Sequence, residues 1–180
     1  MNIIKILTKK INKIINRKSE LEILAENGLK YGKNFKMYNS EIDSGHCFLI
    51  EIGDDVTISH STILAHDAST KLDLGKTKVG KVKIGNRVFI GYDSLILCNV
   101  TIGDDVIVAA KSVVTKDIPS NSIVAGNPAR IIGKKSDYIE KHRLGMKNSP
   151  VYNTYWPNKT NEEKEQMILE LDNHQLGYDE

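Results

Sequence analysis

Aliphatic residues recur at every sixth position through the middle of the chain. Between Ile52 and Ile118 the sequence divides into six-residue units such as IGDDVT, IGNRVF and IGDDVI, each beginning with Ile, Leu or Val. The first positions are Ile52, Ile58, Leu64, Ile84, Ile90, Ile96, Ile102, Val108 and Val114. A helix would show a period of 3.6 residues and an isolated strand a period of 2, so the pattern fits neither.

A triangular solenoid satisfies this period. Each unit supplies one short strand and one corner, and three units complete a coil. The first-position aliphatic side chains point inward and stack on the coil below, about 4.8 Å away, as parallel strands. Small second-position residues are expected to let the backbone turn tightly at the corners. The predicted fold class is therefore an all-β solenoid that gains its stability from stacking.

The repeat is interrupted once, after Ser69, and resumes at Ile84. The lysine-rich segment between them predicts a loop over residues 70–83. Residues 29–51 are interpreted as irregular early coils, and Phe35, Ile42 and Leu49 are expected to point inward. The solenoid is accordingly expected to span residues 29–133.

Both ends of the chain carry helical patterns. Isoleucine and leucine side chains between Ile3 and Ile15 share one helical face opposite the lysines, and SELEILAENG predicts a second short helix ending at Gly28. We predict an N-terminal helical segment over 1–28 and a C-terminal helical extension over 134–180, in which Thr160 and Glu163 form a capping box. The basic N-terminal face could rest on a membrane, but packing on protein is favoured.

Composition narrows the class of protein. The 180 residues are 40% hydrophobic and 27% charged, with a net charge of +2, which gives no sign of a nucleic-acid partner. Two cysteines, Cys47 and Cys98, cannot form a disulfide framework. No apolar run reaches the roughly 18 residues of a membrane span. We therefore expect a cytoplasmic globular protein.

The hexads, the segment LAHDAS and the stretch VAAKSVVTKDIPSNSIVAGNPAR resemble the hexapeptide-repeat acyltransferases. The resemblance is to the maltose, galactoside and chloramphenicol acetyltransferase branch, especially members that serve capsule or lipopolysaccharide synthesis. It covers roughly residues 29–133, and it implies a left-handed parallel β-helix, acetyl-CoA as co-substrate with no permanently bound cofactor, and a homotrimer. The helical ends lie outside the resemblance.

The resemblance assigns the general base to His66, in Leu64-Ala65-His66-Asp67. An imidazole that titrates near neutral pH can take the proton of an attacking hydroxyl. An acceptor for its second ring nitrogen is expected from the early turns, where Asp43, Glu51 and Asn39 are candidates and Asp43 is chosen. A backbone carbonyl could serve instead.

The resemblance also assigns the donor contacts to the later coils. Gly91 and Tyr92 lie where the pantetheine arm passes, and Ala109 and Ala110 lie where backbone groups meet it. The nucleotide end of acetyl-CoA is expected at Thr115, Lys116 and Arg130, because phosphates require lasting positive charge. Lys111 and Tyr92 replace smaller residues of the family pattern.

The predicted function is acetyl transfer from acetyl-CoA to a carbohydrate hydroxyl. N-acetylation of a nucleotide-linked amino sugar is the alternative within the same class. A non-catalytic scaffold is a weaker rival, as is a zinc protein of the carbonic anhydrase type built on His46, His60 and His66. No metal ligand is expected.

Overall fold

The computed structural model describes residues 18–180, so the amphipathic stripe predicted between Ile3 and Ile15 lies outside the described residues. The chain separates into two compact units, one ending at Ile132 and the other formed by Gly133–Glu180. The elements up to the boundary are, in chain order, α1 (Glu20–Glu26), β1 (Lys30–Tyr31), β2 (Lys36–Tyr38), β3 (Glu41–Ile42), β4 (Ile50–Ile52), β5 (Thr57–Ser59), β6 (Thr62–Ile63), β7 (His66–Asp67), α2 (Lys71–Leu74), β8 (Lys78–Val79), β9 (Val82–Ile84), β10 (Phe89–Ile90), β11 (Leu95–Ile96), β12 (Val100–Ile102), β13 (Ile107–Val108), β14 (Val113–Val114), β15 (Ile123–Ala125) and β16 (Arg130–Gly133).

Three sheets form the sides of a triangular solenoid. Their strand orders are β1-β4-β9-β12 for the first side, β16-β15-β13-β10-β5-β2 for the second and β14-β11-β6-β3 for the third. Neighbouring strands within β1 to β15 of these sheets pair in parallel, each with its equivalent in the next coil. The predicted parallel solenoid is confirmed.

Columns of aliphatic side chains fill the interior. On the second side Ile58, Ile90, Val108 and Val124 are fully buried and stack in register through β5, β10, β13 and β15. The side chains within each column pack on their equivalents in the neighbouring coils, so the hydrophobic contribution to folding stability comes from contact between coils.

The predicted inward position of Leu64 is wrong. Leu64 is only half-buried, whereas Ile63 is fully buried and pairs with Ile96. The corner between β5 and β6 is one residue shorter than the corner between β10 and β11, because His60 takes the left-handed conformation (φ 46°) one position early. In this coil the inward residue of the third side is therefore Ile63, one position before the predicted Leu64.

The small second-position residues have a different cause from the predicted tight turn. The left-handed backbone that turns the corner lies two positions later, at Asp55, Arg87 and Asp105 (φ 53° to 56°). A Cβ built on Gly85 would lie 2.7 Å from the carbonyl carbon of Gly103 in the next coil. Close approach of stacked coils, rather than the turn itself, excludes a side chain at this position.

A ladder of buried serines runs along the corner between the second and third sides. Ser40, Ser61, Ser94 and Ser112 each accept a hydrogen bond from a backbone amide of the following coil, at 3.0 to 3.3 Å. These residues occupy inward positions where most other corners carry valine. The hydroxyl groups satisfy amides that the turn removes from the sheet.

The chain leaves the coil between Leu64 and Val82. β7 pairs antiparallel with β8, and α2 with a 3-10 helix at Ala68–Thr70 completes the excursion. Before the regular coils, α1 begins at Ser19 with a capping box to Glu22. The short helix predicted before Gly28 is confirmed.

The second unit contains α3 (Lys135–Gly145), β17 (Val151–Tyr152), α4 (Asn161–Leu171) and β18 (Tyr178–Asp179), with β17 and β18 paired in parallel. The predicted capping box of Thr160 and Glu163 begins α4. Among the residues described, none of the helices is both long enough and apolar enough to cross a bilayer.

Candidate active site

His66 lies just beyond β6, at the corner where the chain turns from the third side toward the first. It faces a cavity of about 530 Å³. The lining residues are Leu64, His66, Asp67, Ala68, Lys78, Leu97, Cys98 and Thr115. Three successive coils and the excursion therefore contribute to one cavity, and the His66 side chain is 37% exposed within it.

Asp43 holds His66 in place. Its Oδ2 atom contacts His66 Nδ1 and also accepts a 3.1 Å hydrogen bond from the Ala65 amide. Its Oδ1 atom accepts a 3.2 Å bond from the amide of His46, and the carboxylate is only 3% exposed. Of the candidate partners from the early turns, Asp43 is therefore the one in contact with His66.

The charge state of this pair follows from its surroundings. Burial opposes ionisation of Asp43, but hydrogen bonds from His66 and the Ala65 amide outweigh it and lower the pKa of Asp43 below its ordinary value. An ionised carboxylate only accepts hydrogen bonds, so Nδ1 of His66 carries the proton. The lone pair of the neutral ring is then at Nε2, as a general base requires.

His46 lies on the other side of Asp43. Its Nδ1 atom is 3.5 Å from Asp43 Oδ1, and its ring centroid is 4.8 Å from that of His66. That nitrogen is shielded from solvent and has no hydrogen-bond partner among the described residues. His60 lies at a different corner, stacked on Tyr92 at 4.6 Å, so His46, His60 and His66 do not converge within one chain.

The residues predicted to bind the donor fall into two groups. Thr115 lines the cavity beside His66, and Lys116 follows it as an exposed side chain. Gly91, Tyr92, Ala109 and Ala110 lie instead at the corner between the second and third sides and do not line this cavity. Arg130 is exposed in β16 and donates a 2.9 Å hydrogen bond to the Ala129 carbonyl.

Comparison with known proteins identifies the family to which the solenoid belongs. Residues 81–116 match the model described as "Bacterial transferase hexapeptide (six repeats)". Protein CapG of Staphylococcus aureus is 33% identical over an alignment of 129 positions, which covers 63% of this chain and 75% of CapG. This chain belongs to the hexapeptide-repeat transferase family.

Solved structures agree with the family. A maltose O-acetyltransferase from Clostridium difficile 630 is 31% identical with a TM-score of 0.52, covering 70% of this chain and 83% of that one. A galactoside acetyltransferase in complex with coenzyme A is 26% identical with a TM-score of 0.51, covering 69% and 76%. The solenoid is thus a left-handed parallel β-helix. The chain spans just over half the length of the first curated relatives it matches.

Sequence reasoning missed part of the cavity of this hexapeptide-repeat transferase. Lys78, from the excursion, places its Nζ atom 2.6 Å from Asp67 Oδ2. Leu97 and Cys98 line the cavity from the coil after His66. The Lys78 contact lowers the pKa of Asp67 and raises that of Lys78. No periodic signal marks Lys78 among the lysines of the loop, whereas Cys98 could have been found by placing it one coil after Ala65.

Proposed function

We propose that this protein is an acetyl-CoA-dependent O-acetyltransferase that acts on a carbohydrate hydroxyl. The observation that carries the proposal is His66, which faces a cavity while the buried Asp43 carboxylate holds its Nδ1. The names of the related maltose O-acetyltransferase and galactoside acetyltransferase supply the class of acceptor, and the coenzyme A complex supplies the donor. We also propose that the reaction takes place in the cytoplasm, where the chain would meet acetyl-CoA.

In the proposed reaction, His66 acts through Nε2. A sugar hydroxyl is a poor nucleophile, so Nε2 takes its proton as the oxygen attacks the thioester carbonyl. The imidazolium formed is stabilised by Asp43. The tetrahedral intermediate then collapses, the C–S bond breaks, and His66 returns the proton to the coenzyme A sulfur. Such base catalysis typically contributes about 10² to 10⁴ in rate.

Thr115→Ala is expected to weaken donor binding. Thr115 lines the cavity two coils above His66, and loss of one hydrogen bond to acetyl-CoA should raise KM about 2- to 10-fold with a smaller change in kcat. Steady-state kinetics with varied acetyl-CoA measure the effect. Thr101→Ala is the matched control, because Thr101 is exposed on the first side and does not line the cavity. An unchanged KM in Thr115→Ala would contradict the donor assignment.

We further propose a homotrimer. The predicted donor residues Gly91, Tyr92, Ala109 and Ala110 lie one corner away from His66, and a cyclic three-fold assembly can bring the two corners of neighbouring subunits together. Sedimentation equilibrium at micromolar concentration is expected to give three times the chain mass of 20.1 kDa. A species of single-chain mass would contradict the shared site.

The function is tested with purified protein, acetyl-CoA and a panel of sugars. Release of free coenzyme A that depends on a non-amino sugar supports O-acetylation, whereas release only with nucleotide-linked amino sugars supports the N-acetyl alternative. For the further proposal of a role in capsule or lipopolysaccharide synthesis, surface polysaccharide from cells with and without the gene is compared by mass spectrometry. Equal acetyl content would contradict that role.

A further inference from the structure

Asp43, His46 and His66 place three metal-ligand side chains together. One nitrogen or oxygen atom from each lies within 4.8 Å of the others. The carboxylate is 3% exposed, and the two histidine side chains are about one-third exposed. The solvent-shielded Nδ1 atom of His46, which has no hydrogen-bond partner among the described residues, faces Asp43 Oδ1 at 3.5 Å. A buried nitrogen facing a carboxylate in this way is suited to an ion placed between them.

We propose that these three side chains bind one Zn²⁺ ion and that the bound ion blocks His66. Two imidazoles and one carboxylate, with a fourth position open to water, form a typical zinc ligand set. Zinc bonds of about 2.0 to 2.2 Å place tetrahedral ligand atoms about 3.4 Å apart, so side-chain movements of about 1 Å close the site. The first part of this proposal concerns binding alone, and the second rests on the proposed acetyl transfer.

A bound ion would block the base function of His66 because the two nitrogens of its ring share one proton. His66 presents Nδ1 to Asp43 and, without metal, carries its proton there. An ion bound at Nδ1 takes that position, and the neutral ring then holds its proton at Nε2 after exchange through solvent. Nε2 no longer has a lone pair for the acceptor hydroxyl. The ion also occupies the carboxylate that would otherwise stabilise the imidazolium.

The site differs from the three-histidine arrangement expected of a carbonic anhydrase type. His60 is stacked on Tyr92 at another corner, and Asp43 takes the third ligand position within one chain. The cluster therefore needs no residue from a second subunit.

Binding is measured by titrating ZnCl₂ into the metal-stripped full chain, free of any polyhistidine tag, in a calorimeter. One ion per chain is expected for the wild type, and His46→Ala should weaken Kd by about tenfold or more through loss of a ligand. His60→Ala is the matched control and should bind as the wild type does. No binding by the wild type, or equal binding by His46→Ala, would overturn the proposal.

Inhibition is measured separately as the ratio of acetyl-transfer rates with and without zinc. At ten times the wild-type Kd about one tenth of the activity should remain, and a chelator should restore it. The same zinc concentration should change the rate of His46→Ala much less. Full wild-type activity at saturating zinc would contradict the block. Zinc binding that depends on His46 in a protein without acetyl transfer would support the metal site and contradict the proposed function.

Discussion

His66→Ala is expected to lower kcat by about 10² or more, equivalent to roughly 2.7 kcal/mol of transition-state stabilisation. The variant has no group to take the acceptor proton, while Thr115 still lines the cavity for the donor. KM for acetyl-CoA should therefore change little.

The variant should keep its fold, because His66 is 37% exposed and belongs to the corner rather than to the buried columns. Circular dichroism and the melting temperature test this directly. His174→Ala, in the second unit, is the matched control and should retain full activity, since His174 is exposed just after α4 and its ring Nδ1 contacts the Glu170 carbonyl rather than a residue of the cavity. Near-normal turnover of His66→Ala with its true acceptor would contradict the assignment of His66 as the general base, and His46 would be tested next.

Ile90→Ala is expected to lower the free energy of unfolding by about 2 to 5 kcal/mol. Ile90 is fully buried and lies between Ile58 and Val108, so truncation leaves a cavity that both neighbouring coils border. Urea unfolding followed by circular dichroism measures the change. Tryptophan fluorescence is unsuitable, because Trp156, the single tryptophan, lies in the second unit.

Leu72→Ala is the control for this measurement. Leu72 is 93% exposed on α2, so removal of a similar number of carbon atoms should change the unfolding free energy by about 0.5 kcal/mol or less. If the two variants lost equal stability, the inward column would not be the source of the stabilisation.

Much of the fold was predictable because one physical requirement recurs along the chain. Each strand of the regular coils between β9 and β14 places an aliphatic side chain inside, and Ile84, Ile90, Ile96 and Ile102 show this requirement at a constant spacing. The error at Leu64 arose where two aliphatic residues are adjacent, so a corner shortened by one residue leaves the hydrophobic pattern intact. The left hand of the coil came from the family resemblance rather than from the period.

The site was predictable only in part. His66 was found through the motif around it, but its contact with Asp43 joins residues 23 positions apart in sequence, on different coils. His46 reaches the same carboxylate from a 3-10 turn that follows no repeat. Lys78 enters from the excursion, whose path depends on the antiparallel pairing of β7 with β8. Periodicity therefore locates the coils but not the side chains that irregular segments bring to them.

The excursion leaves the solenoid at the corner after β6 and rejoins it at β9, which pairs directly with β4 of the preceding coil. Its length can consequently change without shifting the register of any coil, because the core never passes through it. Insertions and deletions there would reshape the wall that Asp67, Ala68 and Lys78 give to the cavity, while leaving the His66–Asp43 pair on its scaffold. Substrate preference and folding stability can thus diverge independently in the evolution of this chain.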